Sequence, residues 1–278
     1  DGDVVLTDSE AARMLGINAG GAAQLTNVGA GEDLLIRAGN ASLTNVTAGD
    51  DLVVRSAGTI IANGASATGT GADNMVLDYS GSGFTIGQGE GVSAVNGADI
   101  VLTSSGGSIE ASGLSAGDDI LLSAATTLAV DGAQTLGIGN TDGDSSIRTQ
   151  SSNATLSGLI AFDNIIVGSS GTVDVTTTLF AGRDVTINAA EVDIAPLTNA
   201  LGNLIDSIDA DRNIAITTSG GISAGSLRAG GDMTLTAGTT VTIQNALTGA
   251  GGTLTLDGAT GVTGGTLRDG NLTGGTIR

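Results

Sequence analysis

This sequence lacks several of the residue types on which enzymes and metalloproteins most often depend. Its 278 residues include no Cys and no His, and all nine basic residues are Arg. Without Cys there are no disulfides and no thiolate nucleophiles or metal ligands. The absence of His removes the commonest general base and the commonest metal ligand. Without Lys there is neither Schiff-base chemistry nor the lysine of a P-loop. Most familiar catalytic constellations are therefore excluded.

Aromatic residues and proline are also scarce. Aromatics make up 1% of the chain and Pro occurs once, so the bulky side chains of an ordinary globular core are missing. The chain has instead 47 Gly residues and short runs of Ala, Val, Ile and Leu separated by Gly, Asn, Asp and Ser. This composition is typical of many short strands joined by tight turns, and it is unfavourable for helices.

The charge and hydropathy of the chain argue against two classes of partner. The formal net charge is −20, which repels nucleic acid and anionic membrane surfaces. No run of about 18 apolar residues is present, so we expect no membrane span. The chain begins without Met and ends in a phrase that it repeats, TGGTLR at 263–268 and TGGTIR at 273–278. We interpret it as a processed or excised part of a longer protein.

One phrase recurs along the chain: a Gly-containing turn, an Asp or Asn, and a short apolar strand. Examples are AGDDLVVRSAG (48–58), AGDDILLSAA (116–125), AGRDVTINAA (181–190) and AGGDMTLTAG (229–238). The residue before each strand is Asp33, Asp51, Asn74, Asp99, Asp119, Asn164, Asp184, Asn213, Asp232 or Thr253. Successive gaps are 18, 23, 25, 20, 45, 20, 29, 19 and 21. The underlying period of about 20 is typical of solenoids, and the gap of 45 predicts a degenerate coil near 145–150.

This periodicity predicts the fold. About twenty residues hold two or three strands of four to six residues with their turns, which suits one circuit of a parallel β-helix. We expect Asp or Asn to bond its own turn and Gly to supply a positive φ. About twelve coils spaced roughly 4.8 Å apart would span about 55–60 Å. We divide the chain into an N-terminal cap region (1–29), the repeats (30–258) and a terminal or truncated coil (259–278).

Two segments break the strand pattern and predict short helical excursions from this all-β fold. The apolar residues of APLTNALGNLIDSI (195–208) are spaced for one face of a helix, and Pro196 suits a first helical turn. The segment SEAARMLG (9–16) predicts a second short helix that ends at Gly16.

The repeated phrases resemble the haemagglutinin-type repeats of filamentous haemagglutinin-like exoproteins. AGRDVTINAA and AGGDMTLTAG are the most similar, followed by ADRNIAITTSGG (210–221), and the resemblance extends over about 30–258. It implies a right-handed β-helical fibre that is exported by two-partner secretion through an outer-membrane barrel. It also implies a role in adhesion or biofilm formation.

The acidic corners are candidate metal ligands. Acids in successive coils would lie about 5 Å apart, where two like charges repel by on the order of 1 kcal/mol in water, and Ca²⁺ would relieve this. The best local candidate is GNTDGD (139–144), through Asn140, Asp142 and Asp144, although it lacks a downstream bidentate Glu. The alternative is that each acid only caps its turn. We expect no cofactor other than this possible Ca²⁺.

The second residue of each Asp-led strand is a candidate interface residue. It should point outward, yet it is apolar in six successive phrases: Leu35, Val53, Val76, Val101, Leu121 and Ile166. Contiguous exposed apolar residues usually contact something, so we predict a partner element from the same chain or from a neighbouring copy. The alternative is ordinary scattered exposure of residues that favour strands.

These features predict a structural protein and not an enzyme. The first reading is a rigid adhesive or biofilm stalk, secreted to a bacterial surface as a segment of a fibre. The second is a self-assembling filament subunit joined through its coil ends or the apolar stripe. Predicted partners are neighbouring repeats or copies, host or cell-surface glycans, and the secretion barrel that the resemblance implies. The alternative of another class is a polysaccharide-active β-helix enzyme, which would need two carboxylates roughly 5–10 Å apart in a cleft.

Overall fold

A computed structural model describes residues 2–49, 52–56, 60–67, 74–79, 83–86, 93–94, 99–104, 107–137 and 144–268 of the chain. All regular elements within these ranges are β-strands. The chain divides into two compact units, residues 1–151 and 152–278. In each unit parallel strands stack coil upon coil, so each unit is a β-solenoid.

The described residues of the first unit form fifteen strands. They are β1 (Val4–Ala11), β2 (Leu15–Asn18), β3 (Ala22–Ala30), β4 (Leu34–Ala38), β5 (Asn40–Ala48), β6 (Leu52–Ser56), β7 (Ile60–Ala67), β8 (Asn74–Tyr79), β9 (Gly83–Ile86), β10 (Ser93–Ala94), β11 (Asp99–Ser104), β12 (Ser108–Ala116), β13 (Ile120–Ala124), β14 (Thr127–Thr135) and β15 (Ile147–Ser151). Sheet 1 has the order β1-β3-β5-β7-β10-β12-β14, and β9 pairs with β7 and β12. Sheet 2 has the order β2-β4-β6-β8-β11-β13-β15.

The second unit repeats this alternation and adds a hairpin. Its strands are β16 (Asn153–Ala161), β17 (Ile165–Ser169), β18 (Thr172–Val175), β19 (Leu179–Ala181), β20 (Val185–Ala189), β21 (Glu191–Ile194), β22 (Leu197–Thr198), β23 (Leu204–Ile205), β24 (Ile208–Ala210), β25 (Ile214–Thr218), β26 (Ile222–Ala229), β27 (Met233–Ala237), β28 (Thr240–Thr248), β29 (Leu254–Gly258) and β30 (Gly261–Arg268). Sheet 2 strands here are β17, β20, β25, β27 and β29. The hairpin is β22–β23, and the remaining strands belong to sheet 1.

Equivalent residues of successive coils pair side by side, which confirms the predicted parallel stacking. The interval between partners ranges from 18 residues, for Leu34 and Leu52, to 30 residues, for Val192 and Ile222. The degenerate coil that was predicted near 145–150 contains strand β15, whose Ile147 pairs with Ile120 of β13. The first and third residues of the sheet 2 strands point inward, as predicted; Leu34 and Ile36 are both buried. Burying each such side chain stabilises the coil by roughly 1.5–3 kcal/mol. The right-handed sense of the helix stays a prediction.

The nine-residue strands of sheet 1 are bent in the middle. In β3 the alternation of buried and exposed residues slips at Thr26 and Asn27, which are both exposed. Asn27 lies there in the left-handed region at φ 53°, as do Asp8 at 50° and Asn45 at 52°. Gly113 and Gly132 adopt positive φ at the corresponding bends of β12 and β14. Only Gly, Asn and Asp adopt a positive φ readily. The bend therefore explains why these residue types occur at the middle of these strands.

The glycine that precedes the Asp-led strands has a different role from the one predicted. Gly31, Gly182 and Gly230 do not have positive φ. A Cβ at Gly182 would lie 2.1 Å from the carbonyl oxygen of Phe162, and one at Gly230 would lie 2.1 Å from that of Asp211. Glycine is therefore required because the backbone of the neighbouring coil passes too close for a side chain.

Both predicted helical excursions are wrong. Residues 9–16 lie in and between β1 and β2. Residues 195–208 contain the antiparallel hairpin, whose turn runs from Asn199 to Asn203. The Asn199 side-chain oxygen accepts hydrogen bonds from the amides of Leu201 and Asn203, and Gly202 adopts φ +78°. Local turn chemistry of this kind outweighs the helical spacing of the apolar residues.

Candidate functional site

The Asp or Asn before each sheet 2 strand bonds to the next coil. In the second unit, Asn164 Oδ1 accepts from the amide of Asp184 at 3.3 Å, and Asp184 Oδ1 accepts from the amide of Asn213 at 3.0 Å. Asn213 Oδ1 then accepts from the amide of Asp232 at 2.9 Å, and Asp232 Oδ1 from that of Thr253 at 2.8 Å. We call this column of side-chain acceptors the Asx ladder. At Asp184, Asn213 and Asp232, the side-chain oxygen thus accepts from the next coil and not, as predicted, from the backbone of its own turn.

The main-chain carbonyls of the same corner residues complete the connection. The carbonyl oxygen of Asn213 accepts from the amide of Val185 at 2.9 Å, and that of Asp232 accepts from the amide of Ile214 at 3.0 Å. The corner at Asn213 therefore makes two bonds with the preceding coil: its amide donates to Asp184 Oδ1 and its carbonyl oxygen accepts from Val185. Its side chain accepts a third bond from the following coil. Hydrogen bonds to a charged group stabilise a protein by about 1.5–3 kcal/mol each. The recurrent Asp is thus a coupling between coils.

The first unit contains side-chain bonds of the same kind, at Asp99 and Asp119. Asp99 Oδ1 accepts from the amide of Asp119 at 3.0 Å, and Asp119 Oδ1 from the amide of Ser146 at 2.7 Å. Asp119 Oδ2 also accepts from Arg148 Nη1 at 2.6 Å. Asp118 is buried and accepts from Ser145 Oγ at 2.7 Å. The neighbouring acids Asp118 and Asp119 therefore both accept hydrogen bonds.

The predicted Ca²⁺ ligands fall mostly outside the described part of the chain. Asn140 and Asp142 belong to the range that is not described, whereas Asp144 is described and contacts Ser146 and Arg148. Among the described residues, no three acids lie together in a group that could hold a metal ion. Binding of Ca²⁺ stays a prediction.

The register aligns the predicted interface residues of the first unit in one column. Leu35 pairs with Val53, Val53 with Val76, Val76 with Val101, and Val101 with Leu121. Leu35 is 38% exposed and Leu121 is 41% exposed. Val53 and Val101 are half-buried, and the side chain of Val76 lies outside what the structure describes. We call this column the apolar stripe.

The apolar stripe is bounded at both ends. Gly16 precedes Leu35 in the register, and Arg148 follows Leu121. Ile166, the sixth predicted residue, belongs to the second unit, where it pairs with Thr186 and is 37% exposed. Thr186 is followed by Ala215, Thr234 and Thr255 at the same register position. In sheet 2 this outward position is therefore apolar from Leu35 to Leu121 in the first unit. In the second unit it is Ile166, followed mostly by Thr.

A groove of about 430 Å³ lies over the start of the apolar stripe. Gly16, the apolar Leu35 and Val53, and the cationic Arg37 and Arg55 are among the residues that line it. These arginines pair with each other in the register. These two arginines were not predicted as site residues, although Arg is the fifth residue of both DLLIRA (33–38) and DLVVRS (51–56).

A second groove of about 470 Å³ lies on the second unit. It is lined by hydroxyl, amide and methyl groups, from Ser169, Ser170, Asn188, Ala189, Ala190, Thr217, Thr218 and Ser219. No carboxylate lines either of these two grooves in the described part of the chain. The polysaccharide-active enzyme stays an untested alternative.

The fold and these surfaces define a class of protein: a β-solenoid repeat protein with acidic couplings between coils. Searches of protein families, of curated proteins and of solved structures find no significant match to this chain. In the residues that the structure describes, no helix has the length and apolar character needed to span a membrane.

Proposed function

We propose that this chain is a structural segment of an extracellular bacterial surface fibre, acting as a rigid stalk in adhesion or biofilm formation. The observation that carries the proposal is the Asx ladder. Through it, successive coils of the second unit from Asn164 to Thr253 are joined by side-chain bonds in addition to the strand pairing. A repeated coupling of this kind resists separation of the coils along the whole of each stack.

The repeated phrases support the extracellular part of the proposal. Their similarity to haemagglutinin-type repeats favours export by two-partner secretion and a place at the cell surface. The net charge of −20 favours solubility and keeps like surfaces apart. Host or cell-surface glycans and neighbouring repeats are the partners that we propose for such a stalk.

Surface display tests the proposed function. The chain would be fused to an outer-membrane anchor in a non-adherent Gram-negative strain, with an epitope tag at its distal end to confirm display. We expect increased attachment to glycan-coated surfaces or increased biofilm mass relative to a displayed globular control of similar charge. Equal attachment by the two strains at equal tag exposure would overturn the proposal.

A second candidate function is self-assembly into a filament, and the exposed Leu35 and Leu121 of the apolar stripe favour it. One variant would combine four substitutions along the stripe: Leu35→Thr, Val53→Thr, Val76→Thr and Val101→Thr. Thr keeps the preference for strands but removes apolar surface. We expect weaker assembly in electron micrographs of this variant, whereas unchanged assembly would contradict the candidate.

A further inference from the structure

Arg37 and Arg55 form a cationic pair, and neither makes an ion pair with a residue whose side chain the structure describes. Both are exposed, and they are register partners on β4 and β6, so roughly 4.8 Å separates their strands. The register places an acid, Asp78, on the other side of Arg55, whereas Arg37 lies between Arg55 and the neutral Asn18. Like charges directly opposite each other destabilise a sheet, so an anion from outside the unit would stabilise Arg37 beside Arg55.

Most of the other described arginines form ion pairs within the chain. Of the remaining six that the structure describes, five form ion pairs with Asp or Glu at 3.9 Å or less: Arg13, Arg148, Arg183, Arg212 and Arg228. At Arg228 the hydrogen bond to Asp209 raises the pKa of the guanidinium. An acid-rich chain that pairs most of its arginines internally thus leaves two adjacent ones exposed beside an apolar groove.

The groove therefore has two parallel rows of different chemistry. Leu35 and Val53 form the apolar row, and the arginines form the cationic row two residues further along the same strands, about 6.8 Å away. A complementary surface would carry two acids about one strand spacing apart with apolar side chains beside them.

The second unit carries such a surface on sheet 1. Asp174 and Asp193 are register partners on β18 and β21, and neither has an ion-pair partner among the described residues. Their strands are again roughly 4.8 Å apart. Here too the like charges repel each other, and a pair of cations at the same spacing would relieve the repulsion.

Apolar side chains follow Asp193 in the chain. The hairpin begins four residues later at Leu197, and Leu201 at its turn is 84% exposed. Leu204 and Ile205 of its second strand are also exposed. The two ends of the hairpin are joined because Ser207 Oγ donates to the carbonyl oxygen of Ala195 at 2.7 Å. The amides of Ala195 and Ser207 attach these ends to neighbouring coils by donating to the carbonyl oxygens of Val175 and Ser226 at 2.9 and 2.7 Å.

We propose that the groove of one copy binds the acidic pair and hairpin of a second copy of this chain. With the strands of the two copies antiparallel, Asp174 and Asp193 face the arginine pair while the hairpin covers Leu35 and Val53. The contact joins two different surfaces, so it propagates from copy to copy when rotation does not close a ring. This inference deepens the self-assembly candidate and rests on it.

Charge reversal tests the contact by sedimentation velocity over a range of protein concentrations. The first variant is Arg37→Glu with Arg55→Glu, and the second is Asp174→Arg with Asp193→Arg. Each alone places like charges across the contact, so we expect self-association to weaken by about tenfold or more. Circular dichroism melting of each variant confirms that it remains folded.

An equimolar mixture of the two variants provides the matched control. Each variant's altered surface then meets its complement on the other variant, and the mean net charge equals that of the unaltered chain. We expect the mixture to regain the association of the unaltered chain, and moderate salt to weaken it. Association that both variants retain would overturn this contact and leave self-assembly through another surface standing. Single copies of the unaltered chain at every concentration would overturn both.

Discussion

At the scale of the residue, the informative feature is a carboxylate that accepts a hydrogen bond from the next coil. The sequence made the position of this residue predictable, because Asp or Asn recurs about every 20 residues. It did not make the bond predictable, since a turn-capping Asp and a coil-coupling Asp have the same spacing. The choice depends on the register between coils, which is a property of the folded stack.

Asp184 provides the sharpest test of the ladder. Its Oδ1 accepts from both the amide and the side-chain Nδ2 of Asn213. We expect Asp184→Ala to destabilise the second unit by about 2 kcal/mol, because two donors lose a charged acceptor. We expect Asp184→Asn, which keeps an oxygen acceptor, to cost less than about 1 kcal/mol.

Hydrogen exchange at the amide of Asn213 measures this effect locally. The Ala variant should lose protection there and the Asn variant should keep most of it. Equal loss of protection in both variants would contradict a coupling through Oδ1.

Gly230 tests the close approach of adjacent coils. We expect Gly230→Ala to lower the melting temperature by about 5 °C or more, because its Cβ would lie 2.1 Å from the carbonyl oxygen of Asp211. Gly16→Ala is the control, since no atom lies within 4 Å of a Cβ built there. Equal melting temperatures for the two variants would show that the backbone at Gly230 is not confined as described.

At the scale of the element, strands were more predictable than the excursion between them. Short apolar runs that follow Asp identified the sheet 2 strands, because alternation of side chains is a local property. The hairpin at 197–205 was mistaken for a helix because Leu197, Leu201, Leu204 and Ile205 satisfy helical spacing. The bends at Asp8, Asn27 and Asn45 were not predicted either, although these residues recur at intervals of 19 and 18, because residue type alone does not show which Asn or Asp adopts a positive φ.

Gly202 distinguishes the hairpin from a helix. Because it lies at φ +78° in the turn, we expect Gly202→Ala to destabilise the hairpin by about 1 kcal/mol. In a helix the same change would be stabilising by about 1 kcal/mol. Hydrogen exchange of the amide of Asn199, which donates to the carbonyl of Asn203 at 2.9 Å, reports the difference. Increased protection in the Ala variant would contradict the hairpin.

At the scale of the whole molecule, the repeated phrase predicted a solenoid and the class of function that suits one. The proposed interface was predictable only in part: the apolar stripe is visible as a repeated residue type, whereas the lack of an ion pair from Arg37 or Arg55 to any described side chain depends on which acids lie near them after folding. The same applies to Asp174 and Asp193, whose adjacency comes from the register of β18 with β21.

The most direct test of the central proposal, that the stacked coils resist pulling forces as a rigid scaffold, is single-molecule force spectroscopy of the chain held by its two ends. We expect a series of discrete force peaks, each releasing about 20 residues or a small multiple of that number. One coil of that length would add about 65–70 Å of extended chain. A smooth extension without force peaks would contradict the claim, because coils coupled through strand pairing and the Asx ladder must resist separation before each one yields.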